Sequence, residues 1–421
     1  MRTILNTLVG VLLLLFITIE IVNVAQTEPV HIDETDWILD THFYEKTFLN
    51  KSPSDPMIWT TVQALSHASL TKYIYGAYLY STQPHFSSAR EQLHNNFGEK
   101  FGGGQEDVTP FAPYVMKLRH LTTIITLSTL VLLFIFMNTL TQSRIAGIIL
   151  VILLSQNKLF LHTMTRATWD CVYIFFLTVA FVSYSHHLKT QKISYLVFAA
   201  IAAGATIISK LTGAIFHVGF TIFSTLSLFL LPNKKHETVM HWFFVMLVTT
   251  AIWVNFSIYF LRIAPTSSHE LIKLQMIINE RLYQKRPEAF KTYLHRLQVL
   301  YCLTMQPSCL QPTDRQYLYR ASATHIPVIN IAIFLVGIFF CVSKMQPSKK
   351  RARLYVLVMG LTSIITMFFL INVPWDRYYL PAIYFIAIFQ ALGLWSIIAL
   401  AKEHYVKRTY ESFITNLKNI L

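Results

Sequence analysis

The chain has 421 residues, 54% of them hydrophobic and only 13% charged, with a mean hydropathy of +0.46. Soluble domains average about 25% charged residues, so a water-soluble fold is excluded and the bilayer is read as the solvent. The net charge of +14 falls in short basic clusters between apolar runs, a mark of membrane topology rather than of nucleic-acid binding.

A spanning helix needs roughly 20 apolar residues. The first run is 5–25, behind Arg2. A cleaved signal peptide is the competing reading, but the run is long and no small-x-small cleavage site is obvious after it. Further runs follow at 119–139, 145–161, 171–186, 194–231, 239–261, 326–343, 354–372 and 378–400. As one helix, 194–231 would measure roughly 57 Å against a core of about 30 Å. Its middle is Ser209-Lys210-Leu211-Thr212-Gly213 and both its ends are basic, so it divides into 194–209 and 213–231.

The expectation is an all-α polytopic protein crossing about ten times with both termini inside. Inner segments then hold Arg2, Arg144, Lys189, Lys192, Lys234, Lys235, the cluster from Lys344 to Arg353, and Lys402, Lys407 and Arg408. Short outer turns hold one cation each: Arg166, Lys210 and Arg377. Of 21 carboxylates, eleven lie in the outer loop 27–118. A second long outer segment covers 262–325. The stretches 57–80 and 268–304, the latter broken at Pro287, read as interfacial helices, and Gly102-Gly103-Gly104 as a flexible joint. Residues 1–400 form one domain, and 401–421 a basic cytoplasmic tail. Cys171 and Cys341 read as buried thiols; Cys302 and Cys309 are close enough for one bridge outside.

Chemistry-bearing residues gather on the outer side. His31-Ile32-Asp33-Glu34 follows the first span, where a carboxylate at the water–lipid boundary can act as general base toward an acceptor hydroxyl. A solvated acidic loop is the ordinary alternative. His67 to Tyr73 includes Lys72, a compact charge for a phosphate or an interfacial lysine reaching for water. Arg166 and Asp170 share one turn, where they bind a ligand or pair with each other. Lys210 alone reads as an anchor. Arg377, among Trp375, Tyr378 and Tyr379, suits a phosphate or an interfacial anchor. There is no glycine-rich phosphate loop inside, so a nucleotide site is unsupported.

In their order and side, these motifs resemble the GT-C type membrane glycosyltransferases, in the branch holding protein O-mannosyltransferases and the lipid A aminoarabinose transferase. His31, Asp33 and Glu34 match the family's His-Pro-Asp-Glu, with Ile32 in place of proline. His67, Leu70, Lys72 and Tyr73 match its second motif loosely, without the prolines. Arg166 with Asp170, Lys210 with Gly213, and Arg377-Tyr378-Tyr379 follow in order.

The resemblance implies an inverting transfer from a polyprenyl- or dolichyl-phosphate monosaccharide, on the outer face, to an acceptor that is protein, lipid or glycan. Asp33 would be the general base, with Glu34 beside it in the catalytic pair. Lys72, Arg166, Lys210 and Arg377 would neutralise the carrier phosphate, with His31, His67, Tyr73, Asp170, Tyr378 and Tyr379 in support. No cofactor is assigned. A divalent metal between Asp33 and Asp170 is left open. A flippase of lipid-linked glycans, a ligase with a diphosphate-linked donor and a silent family member are the alternatives. No retention signal ends the chain, which points to a prokaryotic plasma membrane.

Overall fold

The computed structural model describes residues 2–49, 69–97, 108–230, 235–263, 310–312, 319–321, 328–343, 347–370 and 376–420. His67, the stretches 57–68 and 268–304, the triple glycine and Cys302 with Cys309 lie outside the described residues, as does the side chain of Arg377.

Helices occupy all ten expected apolar runs. The first is α1 (Arg2–Thr27). A short connection leads to α2 (Ile32–Asp40), α3 (His42–Tyr44) and a π-turn at Glu45–Leu49. Next come α4 (Ser69–Thr82), overlapping the second half of the expected interfacial stretch, and α5 (Phe86–Phe97). The bundle continues with α6 (Ala112–Thr141), α7 (Arg144–Ser155), α8 (Lys158–Thr165) and α9 (Trp169–Thr190). It goes on through α10 (Ile193–Ser209), α11 (Ala214–Leu230) and α12 (Lys235–Ile263). After a two-stranded antiparallel pairing of Leu310–Pro312 with Tyr319–Ala321 come α13 (Val328–Val342), α14 (Pro347–Leu370) and α15 (Leu380–Ile420).

Among the described residues, five helical stretches are long and apolar enough to cross a membrane, and four shorter apolar ones accompany them. The chain is thus an integral membrane protein. The division of 194–231 falls at a 3₁₀ turn, Leu211–Gly213, as its charge and glycine foretold. One expectation is corrected. The run 145–161 is not one straight span: α7 and α8 meet at a 76° bend. The polar pair Gln156-Asn157 interrupts the apolar sequence, and Asn157 Oδ1 accepts the Phe160 N–H to start a new helix. The last candidate span, Leu380–Glu403, lies close to the expected 378–400, and its helix α15 runs on beyond it to Ile420.

The core is an aromatic seam. Phe181 on α9 stacks on Tyr355 of α14 at 5.3 Å and meets Phe385 of α15 edge-on at the same separation. Small residues let other helices close up. A Cβ on Gly337 would strike the Phe389 carbonyl, and one on Gly393 the Ile333 carbonyl, so α13 and α15 touch backbone to backbone. Cys171 and Cys341 are buried free thiols, as expected.

Candidate functional site

The Asp-Glu pair opens α2, and the helix divides the two side chains. His31 is the N-cap: its Nδ1 accepts the Asp33 N–H at 3.2 Å, while Glu34 reaches back to the His31 N–H at 2.9 Å. Consecutive helical residues point about 100° apart. Glu34 therefore turns inward and is fully buried, whereas Asp33 keeps 27% of its side chain exposed, 3.7 Å from His31 Nδ1.

Glu34 is the hub of the region. Arg119, 1% exposed near the start of α6, donates from Nε to Glu34 Oε1 at 2.8 Å and from Nη2 to Oε2 at 2.5 Å. The Ala167 N–H adds a bond to Oε1 at 2.8 Å. Arg119 also donates to the carbonyls of Ala25, Glu28 and Pro29, tying up the end of α1. A buried charge pair is tolerated only with such saturation. Glu34, the second member of the expected catalytic pair, fastens α1, α2, α6 and the 166–170 turn together through these bonds.

That turn is also held from α6. Thr122 Oγ1 donates to the Thr165 carbonyl at 2.6 Å and Thr126 Oγ1 to that of Met164 at 2.9 Å, satisfying the last carbonyls of α8. The mutual pairing weighed for Arg166 and Asp170 is not what the structure contains. Arg166 bonds the Glu28 carboxylate, which His162 also engages. Burial raises the Glu28 carboxyl, but His162 and Arg166 outweigh it and hold the pKa below its usual value. Asp170 pairs instead with Lys210: Nζ lies 2.5 Å from Oδ1, both groups buried, with Thr168 Oγ1 against Oδ2.

Lys210 is more than an anchor. Its ammonium lies 5.1 Å from the Trp169 ring centroid, 5.9 Å from Tyr173 and 4.7 Å from Tyr378, a three-sided aromatic surround. Tyr378 belongs to the 3₁₀ turn Asp376–Tyr379, which carries the backbone of Arg377 to the same place; Tyr379 is fully buried. Trp37 of α2 packs 5.5 Å from Trp169, so the Asp33 helix leans on the Lys210 surround.

Lys72 stands in a separate pair. It is 2% exposed, 3.5 Å from Asp40 Oδ2 and 4.1 Å above the Phe43 ring. Burial pulls the Lys72 ammonium down and Asp40 opposes it. Tyr73 meets Phe48 edge-on at 5.3 Å.

The donor set does not fit the divalent metal left open between Asp33 and Asp170. The Lys210 ammonium already neutralises Asp170, and no three acidic, histidine or cysteine side chains converge among the described residues. Sequence reasoning missed Arg119, Glu28, Asp40 and the surround of Lys210. Arg119 heads an apolar run, where a cation reads as an interfacial anchor, and its partners are 85 or more positions away.

The family model of dolichyl-phosphate-mannose-protein mannosyltransferases matches residues 62–269. No curated protein sequence matches the chain. Among solved structures, ArnT from Cupriavidus metallidurans bound to undecaprenyl phosphate is similar with a TM-score of 0.55 at 12% identity. That likeness covers 91% of this chain and 60% of the other. The archaeal oligosaccharyltransferase AglB from Archaeoglobus fulgidus, in complex with an inhibitory peptide and a dolichol-phosphate, has a TM-score of 0.56 at 11% identity. Here 96% of this chain and 51% of the other are covered, so the chain spans little more than half the length of either structure. The fold is the GT-C fold that the order of motifs implied.

Proposed function

We propose that the chain is a glycosyltransferase that moves a monosaccharide from a polyprenyl-phosphate carrier to an acceptor hydroxyl, with inversion. The fold, the family match over the 62–269 stretch and the carrier phosphates bound to the two similar structures support the donor class. The observation that carries the reading is the contrast within one helical turn. Arg119 immobilises Glu34, so Asp33 stands partly exposed on a fixed support, and the same turn reaches Lys210 through Ala167 and Asp170.

In this mechanism the Asp33 carboxylate takes the acceptor proton as the acceptor oxygen bonds to the anomeric carbon. The bond from that carbon to the phosphate oxygen breaks, and its electron pair leaves with the carrier phosphate. A phosphate needs no acid to depart, so one carboxylate suffices where simple glycoside hydrolysis uses two. Lys210 and Arg377 receive the developing phosphate charge. Lys72 and Arg166, each held by a carboxylate as Lys210 is by Asp170, share in neutralising that phosphate, and Glu34 positions Asp33. Ten crossings, both termini inside and a site on the outer face complete the reading, as a single catalytic domain through residue 400. Mannose is the natural first sugar to test.

The test is transfer in proteoliposomes offered labelled polyprenyl-phosphate monosaccharides, with the anomeric configuration of donor and product compared. Consumption of one donor with inverted configuration is expected. A folded protein that consumes none of the panel but moves lipid between leaflets would replace the transferase with a flippase.

A further inference from the structure

A cleft of about 370 Å³ lies between the end of α1 and the bend joining α7 to α8. That volume falls in the range of small-molecule sites, roughly 300–1,000 Å³. One wall is the Glu28–His162 pair. The others bring together Glu20 from α1 with Gln156 and Lys158 from the bend. Neither Glu20 nor Lys158 has an ion-pair or hydrogen-bond partner among the described residues.

Glu20 stands seven residues before the end of α1, which puts it about 10 Å along the helix from the site end. It is flanked by Phe16 and Ile19, whose side chains are more than half exposed on the apolar exterior. An ionisable residue at that depth is costly and marks a functional position when no protein partner offsets it. The bend places Gln156 and Lys158 at the same cleft, as broken helices do where they line a polar cavity within a membrane.

We propose that this cleft binds the zwitterionic headgroup of a membrane phospholipid, entering sideways from the bilayer. Glu20 accepts the headgroup ammonium, and Lys158 and Gln156 bind its phosphodiester. The charges are complementary: one free carboxylate and one free ammonium beside an already neutralised pair. Acyl chains then lie along the exposed apolar sides of α1 and α7. The assignment stands apart from the transferase reading, since binding is read without sugar transfer.

The test is native mass spectrometry of the delipidated full chain in detergent, with phosphatidylethanolamine and phosphatidylglycerol offered in equal amounts. Wild type is expected to retain the ethanolamine lipid about tenfold more strongly. Glu20→Gln removes that preference, and Lys158→Gln weakens retention of both lipids. Equal retention by wild type, or a preference that survives Glu20→Gln, would overturn the proposal. Should Glu20→Gln fail to fold, unchanged lipid retention by Lys158→Gln, at an exposed position, would overturn it equally. Soluble glycerophosphoethanolamine binding as tightly as the lipid would move the ligand into water and defeat the membrane assignment.

Discussion

Arg119 and Glu34 form the pair on which the residue-scale chemistry depends. Removing one partner leaves a buried uncompensated charge, at a cost of about 3–5 kcal/mol. Arg119→Met is therefore expected to lower the melting temperature and to abolish transfer together. Arg119→Lys keeps the charge but not the bidentate geometry, and should retain folding better than activity. Activity equal to wild type in Arg119→Lys would remove the pair from the site.

His42 provides a pH test at the same scale. Burial lowers its pKa from 6.5 to about 4, so the folded chain refuses a proton that the unfolded chain takes up below 6.5. Stability from this group is full above pH 6.5, falls as pH drops toward about 4, and levels off below. Melting curves from pH 7 to 4.5 should show a smaller loss in His42→Gln than in wild type; identical slopes would contradict the assignment. The Asp-Glu pair itself was legible in the sequence, but which member faces inward was not. That choice is made by the helix start at His31 and by a partner 85 positions away from Glu34.

At the scale of elements, the sequence located every apolar run because membrane helices must be continuously apolar, and run length is a local property. The division at Lys210 was visible for the same reason. The α7–α8 bend was not, since the run counted as one span although Gln156-Asn157 lay inside it. Asn157→Ala removes the cap of α8 and should cost about 1 kcal/mol. It should also reduce transfer, because α8 delivers Arg166 and Ala167; a stability loss without any activity loss would show the bend to be structural only. At Gly337 a side chain has no room against the Phe389 carbonyl. Gly337→Leu should separate α13 from α15 and destabilise the bundle, read as loss of monodisperse protein in detergent.

For the whole molecule, composition and hydropathy carried the fold class, charge distribution is the ground of the proposed sidedness, and packing carried the rest. No local pattern announces that Lys210 pairs with Asp170 across 40 positions, or that Tyr378 arrives from the far end of the chain. Short motifs in a fixed order indicated that these segments meet; the buried polar bonds specify how. Sidedness is open to test by single cysteines at Arg2, Lys189 and Lys402, expected to label from one side of sealed vesicles, and at Asp36, expected to label from the other. Labelling of Asp36 and Lys402 from the same side would reverse the topology.

The central claim is that Asp33 is the base and Glu34 its support. The most direct measurement is single-turnover transfer by folded Asp33→Asn and Glu34→Gln in proteoliposomes, with donor binding measured separately. Loss of a general base costs about 10²–10⁴-fold in rate. Asp33→Asn should lose at least that much while still binding donor, with its melting temperature unchanged. Glu34→Gln should lose stability along with rate. Transfer by Asp33→Asn at the wild-type rate would contradict the claim and send the search for the base elsewhere in the chain.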